Sequence, residues 1–157
     1  MSINYTDTSS YPYFLAVNSA QQNTTTSGVT VVFGTLREGN NFASNTFTAP
    51  VKGLYMFTAT LTSGSNGGVA PAQSAQVDGS MRWGFIVSGQ ANYFHVGDNM
   101  NYFSNTTHFY AKHCSAVILL NANDTVSVTT SGIGSPNVLV FLAGRSWFSG
   151  HLITAIA

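Results

Sequence analysis

The sequence predicts an all-β sandwich or barrel, and three observations carry that reading. Helix signals are nearly absent, since no window of about eleven residues sustains apolar side chains at the i, i+3, i+4, i+7 spacing of one helical face. Thr, Val, Tyr and Phe, which suit a pleated and half-buried surface, are common where Leu, Glu and Lys are scarce. Short apolar or alternating runs recur roughly every ten to fifteen residues between Gly, Asn, Ser and Pro clusters, as they do where many strands are joined by turns. At 157 residues the chain can bury a core without disulfide or metal staples, and one domain over 1–157 is expected.

Strands are expected at 11–18, 28–35, 46–49, 53–62, 81–88, 91–96, 107–111, 114–120, 124–131, 138–143 and 146–156. The first three are β-rich runs bounded by Ser, Asn and Gly. The fourth follows the Pro50 and Gly53 turn. Between 53–62 and 81–88 lies "SGSNGGVAPAQSAQVDGS", residues 63–80, the longest polar and small-residue stretch, expected as a surface loop. In "SMRWGFIVSG", Met81, Trp83, Phe85 and Val87 oppose Arg82, Gly84 and Ile86. In "DTVSVTT", Val126 and Val128 point one way while Thr125, Ser127 and Thr129 point the other, so that strand has a wet face.

Other strands are apolar on both faces. "GLYMFTATL" sets Tyr55, Phe57, Ala59 and Leu61 against Leu54 and Met56. "CSAVILL" is also two-faced, and "SWFSGHLITAIA" sets Phe148, Leu152 and Ile156 against Trp147 and Ile153. A two-sheet sandwich has one interior, so such strands need a second cover, and no helix is available to supply it. One sheet is therefore expected to pack into an oligomer while the other faces water. The alternative is a deep barrel core that accommodates both faces within one chain.

Composition excludes several function classes. Only 6% of residues are charged, against about 25% in an average globular protein. With zero formal net charge the chain lacks the basic footprint of a nucleic-acid binder. No apolar run approaches about 18 residues, so no membrane insertion is expected, and "MSINYTDTSS" does not read as a secretory signal. Cys114, the single cysteine, precedes "SAVILL" and reads as a buried small hydrophobe. The sequons at Asn4, Asn23, Asn105 and Asn123 are about what an Asn-, Ser- and Thr-rich composition supplies by chance.

The segment "FTAPVKGLYMF", Phe47 to Phe57, resembles the hallmark of the C1q/tumour-necrosis-factor-like domain: Phe, five residues, Gly, then x-Tyr-x-Phe. Two later segments agree in order and spacing. "SAVILLNANDTVSV" is similar to the family's apolar strand, Asn-Asp turn and alternating strand, and "SWFSGHLI" to its closing Phe-Ser-Gly strand. The segment before the hallmark is shorter than in the family pattern, Ala59 replaces its final aromatic, and no collagen-like repeat precedes the domain. The resemblance implies a ten-stranded, two-sheet jelly roll that forms a homotrimer, with 53–62, 114–120 and 146–156 in the inner sheet and 81–88 and 124–131 in the outer. It also implies binding rather than chemistry, a secreted protein, and a likeness to free-standing C1q-domain lectins of invertebrate innate immunity.

The residues agree that chemistry is poorly supplied. Asp7, Glu38, Asp78, Asp98 and Asp124 are the only acids, mostly in expected turns, and no Gly-x-Ser-x-Gly elbow occurs. Asp124 reads as a cap on backbone amides. His95, His108, His113 and His151 lack an adjacent carboxylate to fix a tautomer, and the acids are too dispersed for calcium, so neither metal nor cofactor is expected. "ANYFHVGDNMNYFSNTTHFYAKH", residues 91–113, interleaves aromatics with amides and hydroxyls, a combination that suits a sugar. The candidate ligand-binding residues are Arg82, Trp83, Tyr93, His95, Asn101, Tyr102, His108 and Tyr110. Arg82 or Lys112 would pair with the carboxylate of an acidic sugar such as sialic acid. The competing reading is a trimeric protein-binding or structural head, as in cytokine-like ligands or fibre tips.

Overall fold

The computed structural model describes residues 11–24, 28–64, 82–88, 94–96, 109–131, 139–141 and 143–157. These form two antiparallel sheets with no helix among them. The larger sheet is built on β6 (Gly53–Gly64), which pairs along its whole length with β9 (Phe109–Leu120). On its other edge β6 pairs with β12 (Trp147–Ala155) as far as Thr60, and β11 (Leu139–Phe141) joins at Ser63. Beyond β12 lie β1 (Tyr13–Val17) and then β3 (Thr35–Gly39), and beyond β11 lies β2 (Gln22–Thr24). The smaller sheet runs β4 (Phe42–Ala43), β5 (Thr46–Thr48), β10 (Thr125–Ser131), β7 (Arg82–Val87) and β8 (Phe94–Val96).

The assignment of strands to sheets is as expected: 53–62, 114–120 and 146–156 share the larger sheet, and 81–88 and 124–131 pair in the smaller. Several strands differ. Segments 107–111 and 114–120 are one strand, β9, because Lys112 and His113 continue the ladder opposite Leu61 and Thr60. Of segment 28–35 only Thr35, which opens β3, lies in a strand; Thr30 makes one bridge to Thr129, while Val32 and Phe33 donate their N–H groups to the side chains of Gln22 and Asn45. With β2, β3 and β4 added, the described residues hold twelve strands where the resemblance implies ten. Residues 65–81, most of the expected 63–80 loop, lie outside the described set.

The core is aromatic and lies between the sheets. Phe57 meets Phe85 across the gap at 6.0 Å between ring centroids, and Phe148 meets Phe85 at 5.6 Å. Phe14 stacks on Phe47 at 5.2 Å, and Phe47 is tilted against Tyr55 at 5.5 Å. Every second residue of β6 from Tyr55 to Leu61 is buried here, as period-2 alternation requires. Val126 and Val128 of β10 join the same cluster. The opposite side of β10 is less open than expected at Thr129, which is also buried, while Thr130, on the Val126 and Val128 side opposite Trp83, is buried and donates its hydroxyl to the carbonyl of Val29.

The turns show why the hallmark residues are needed. Gly53 sits where a Cβ would stand 2.5 Å from the carbonyl oxygen of Thr154, so only glycine fits as β6 enters beside β12. Tyr55 buries its ring but donates its hydroxyl to the carbonyl of Val51 at 2.7 Å, which ties the core to the preceding turn. Burial pushes the ionisation of this phenol up. Tyr55→Phe is expected to cost about 1 kcal/mol, the net worth of one hydrogen bond, measured by urea denaturation. At the β9–β10 turn the Asp124 carboxylate accepts the backbone N–H of Asn121 at 2.8 Å, with Asn123 left-handed at φ 71°, so Asp124 is the amide cap the sequence predicts.

Candidate interaction surface

The outward face of the larger sheet follows from its register, because directly paired residues point to the same side. One row across the sheet is Val117, Met56, His151 and Tyr13. The next is Ser115, Thr58, Ser149, Leu15 and Glu38, and the third is His113, Thr60, Trp147, Val17 and Thr35. Leu119 pairs with Leu54 at the other end, beside Thr154 and the bulge that turns Ile153 outward.

This face is apolar and open. Val117 is 55% exposed, Leu119 51%, Ile153 45% and Tyr13 38%, which makes them four of the most exposed large hydrophobic residues among those described. Met56, Leu54, Leu15, Val17 and Trp147 are half-buried around them. Over β9, β6, β12 and β1 no outward position carries Asp, Glu, Lys or Arg; the first charge met is Glu38 on the bordering strand β3. The other polar groups are hydroxyls and two imidazoles. His113 lies 3.0 Å by its Nδ1 from the Thr60 hydroxyl, and its ring is 5.9 Å from that of Trp147. His151 is exposed between Met56 and Tyr13.

Most of the expected ligand-binding residues fall elsewhere. Tyr93, Asn101, Tyr102 and His108 lie outside the described residues. Arg82 and His95 belong to the smaller sheet, at the ladder positions opposite Ser131 and Gly84. Tyr110 belongs to the larger sheet, opposite Ser63, so the ladders do not bring it into one row with Arg82 or His95. Trp83 corrects the expectation: it is 4% exposed and part of the core cluster, so its ring packs within the sandwich and offers no face to a sugar. Its place on the Trp83, Phe85, Val87 side of β7 is the reason, since that side faces the other sheet.

Cys114 is buried, as its apolar setting predicts, and burial pushes its thiol up to about 11. The unfolded chain ionises this thiol near 9.0, so its contribution to stability is complete below that pH and is lost as pH rises toward 11. Cys114→Ala is expected to lessen the loss of stability over that window, read from urea midpoints across alkaline pH. Among the described residues no three His, Cys, Asp or Glu side chains group to hold a metal ion.

The order of the two sheets can be compared with known structures. Over 93% of this chain and 99% of the other, the globular domain of zebrafish complement 1qA superposes with a TM-score of 0.56 at 17% identity. An Eiger TNF from S. frugiperda superposes over 94% of this chain and 95% of its own, with a TM-score of 0.64 at 7% identity. The fold is the C1q/TNF-like jelly roll. No family model and no curated protein sequence matches the chain, so the likeness is one of architecture. In this C1q/TNF-like fold the hallmark Phe47, Gly53, Tyr55 and Phe57 are core and turn residues, and Phe148 and Gly150 of the closing strand pack against them. Sequence reasoning found Leu54, Met56, Trp147 and Ile153 on the reverse side but missed Tyr13 and His151, whose place is set by the β1–β12 register rather than by either strand's own pattern.

Proposed function

We propose that this chain is a non-enzymatic recognition module, secreted and homotrimeric, that associates through the outward face of its larger sheet and binds glycans. The observation that carries the association is that face itself. An uncharged apolar surface fits another uncharged apolar surface, and contiguous apolar area beyond a few hundred Å² is rare on monomers. The C1q/TNF-like fold supports the same reading, since the sequence resemblance implies trimers. Among the described residues no helix is long and apolar enough to cross a membrane. Glycan binding is supported by the aromatic, amide and hydroxyl content of residues 91–113, and a sialylated sugar by Lys112 within that segment and Arg82 upstream of it. Three weak sites on one trimer would gain avidity on a spaced glycan surface.

Light scattering coupled to size exclusion tests the assembly: the expected particle has three times the 16.7 kDa protomer mass. A glycan array tests the ligand. Binding to sialylated glycans is expected, and silence across sialylated and neutral glycans from an intact trimer would leave a protein-binding or structural head instead.

A further inference from the structure

We propose that His151 makes the association of this chain pH-sensitive, permitting it at neutral pH and opposing it once the imidazole takes up a proton. The inference rests on self-association through the outward face and adds its regulation. His151 stands in the most apolar part of that face. Its ladder partners are Met56 on β6 and Tyr13 on β1, Val117 lies beyond Met56 on β9, and Ile153 follows two residues along β12. Its other neighbour along β12 is Ser149. Among the described residues, then, the groups facing it are a thioether, a phenol, aliphatic chains and a hydroxyl, with no carboxylate. Glu38 is two strands away, in the adjoining row beside Leu15. The other imidazole on the face, His113, stands at its opposite end with Thr60 and Trp147.

In a single protomer His151 is exposed, and water solvates it in either protonation state. Association through this face removes that water. A neutral imidazole enters an apolar contact at small cost, whereas an imidazolium without a counter-ion does not, because desolvation penalises the charged form. Every copy in a symmetric assembly brings the same residue, so like charges also converge. Of the side-chain types on this patch, imidazole is the one whose charge changes with mild acidification in general. The association is therefore favoured at neutral pH and opposed in mildly acidic solution.

The test is light scattering of the full chain over a dilution series at about pH 7.5 and about pH 5.0, for wild type, His151→Gln and His113→Gln, with near-ultraviolet circular dichroism to follow the fold. The expected result is that the wild-type concentration midpoint for dissociation rises at least about tenfold at the lower pH. His151→Gln is expected to hold its midpoint at both, and His113→Gln to respond as wild type does. Equal midpoints for wild type at the two pH values, or a His151→Gln protein that weakens as wild type does, would overturn the proposal and leave self-association standing. A loss of near-ultraviolet signal at the lower pH in all three proteins would assign the effect to folding and overturn it too. A monomer at both pH values would overturn self-association itself.

Discussion

Val117→Asp is expected to leave a folded protomer that no longer forms the proposed trimer. Val117 is 55% exposed at a reverse-face position of β9, opposite Met56, so an aspartate there remains solvated while the protomer is alone. The cost to folding is at most about 1 kcal/mol, the span of strand propensity at such a site. In the assembly the same carboxylate would be enclosed by aliphatic side chains with no Lys or Arg at the outward positions of the four strands around it. An unpaired buried charge costs several kcal/mol, repeated in each copy, which corresponds to a loss of affinity of more than about a thousandfold. Val32→Asp is the matched control. Val32 is 43% exposed, but it lies on the segment that bridges to β10 of the smaller sheet, and this substitution is expected to leave the trimer whole. Light scattering that found Val117→Asp still trimeric would place the interface elsewhere.

That outward face was legible in the sequence to the extent that each strand reports its own two faces. Leu54 and Met56 interrupt what would otherwise be a polar reverse side of β6, and Trp147 and Ile153 do the same for β12. Alternation cannot supply register, however, and register is what assembles Val117, Met56, His151 and Tyr13 into one row. The strands that sequence reasoning missed are those in which burial is slight. β3, "TLREG", is the last strand on its side of the larger sheet, and its Arg37 and Glu38 suit an exposed border rather than a core. β2 and β4 are held by pairing with β11 and β5 over three and two residues, too short for any periodicity to show. Segment 28–35 failed in the opposite way. Val29, Val31 and Phe33 alternate like a strand, and Val31 and Phe33 are buried, but most of its hydrogen bonds go to side chains and a single bridge. The candidate binding residues were the least legible, because aromatics among amides serve a core or a surface equally well until burial decides, as it does for Trp83.

Phe57→Ala is expected to be the most destabilising single substitution in the core, at about 3–5 kcal/mol against a total that for a domain of this kind is about 5–15 kcal/mol. The Phe57 ring touches Phe14, Phe47, Tyr55, Phe85 and Phe148 at centroid distances from 5.4 to 6.4 Å, so its removal opens a cavity where both sheets meet. It also lies across Gly150, its direct ladder partner. A Cβ at Gly150 would stand 2.5 Å from Phe57 Cδ1 and 2.8 Å from Phe14 Cε1, and both rings are enclosed by others and cannot withdraw. Gly150→Ala alone is therefore expected to cost about 1–3 kcal/mol, although alanine is otherwise better than glycine in a strand interior. In the Phe57→Ala background the principal obstacle is gone, and the new methyl group occupies part of the vacated space. The second substitution should then cost nothing or restore up to about 1 kcal/mol, so the double-mutant cycle should show a coupling of at least about 1 kcal/mol. Urea denaturation of the four proteins measures it. Strict additivity would mean that Phe57 does not cover Gly150 in the folded chain, and the packing that joins the hallmark strand to the closing strand would have to be redrawn.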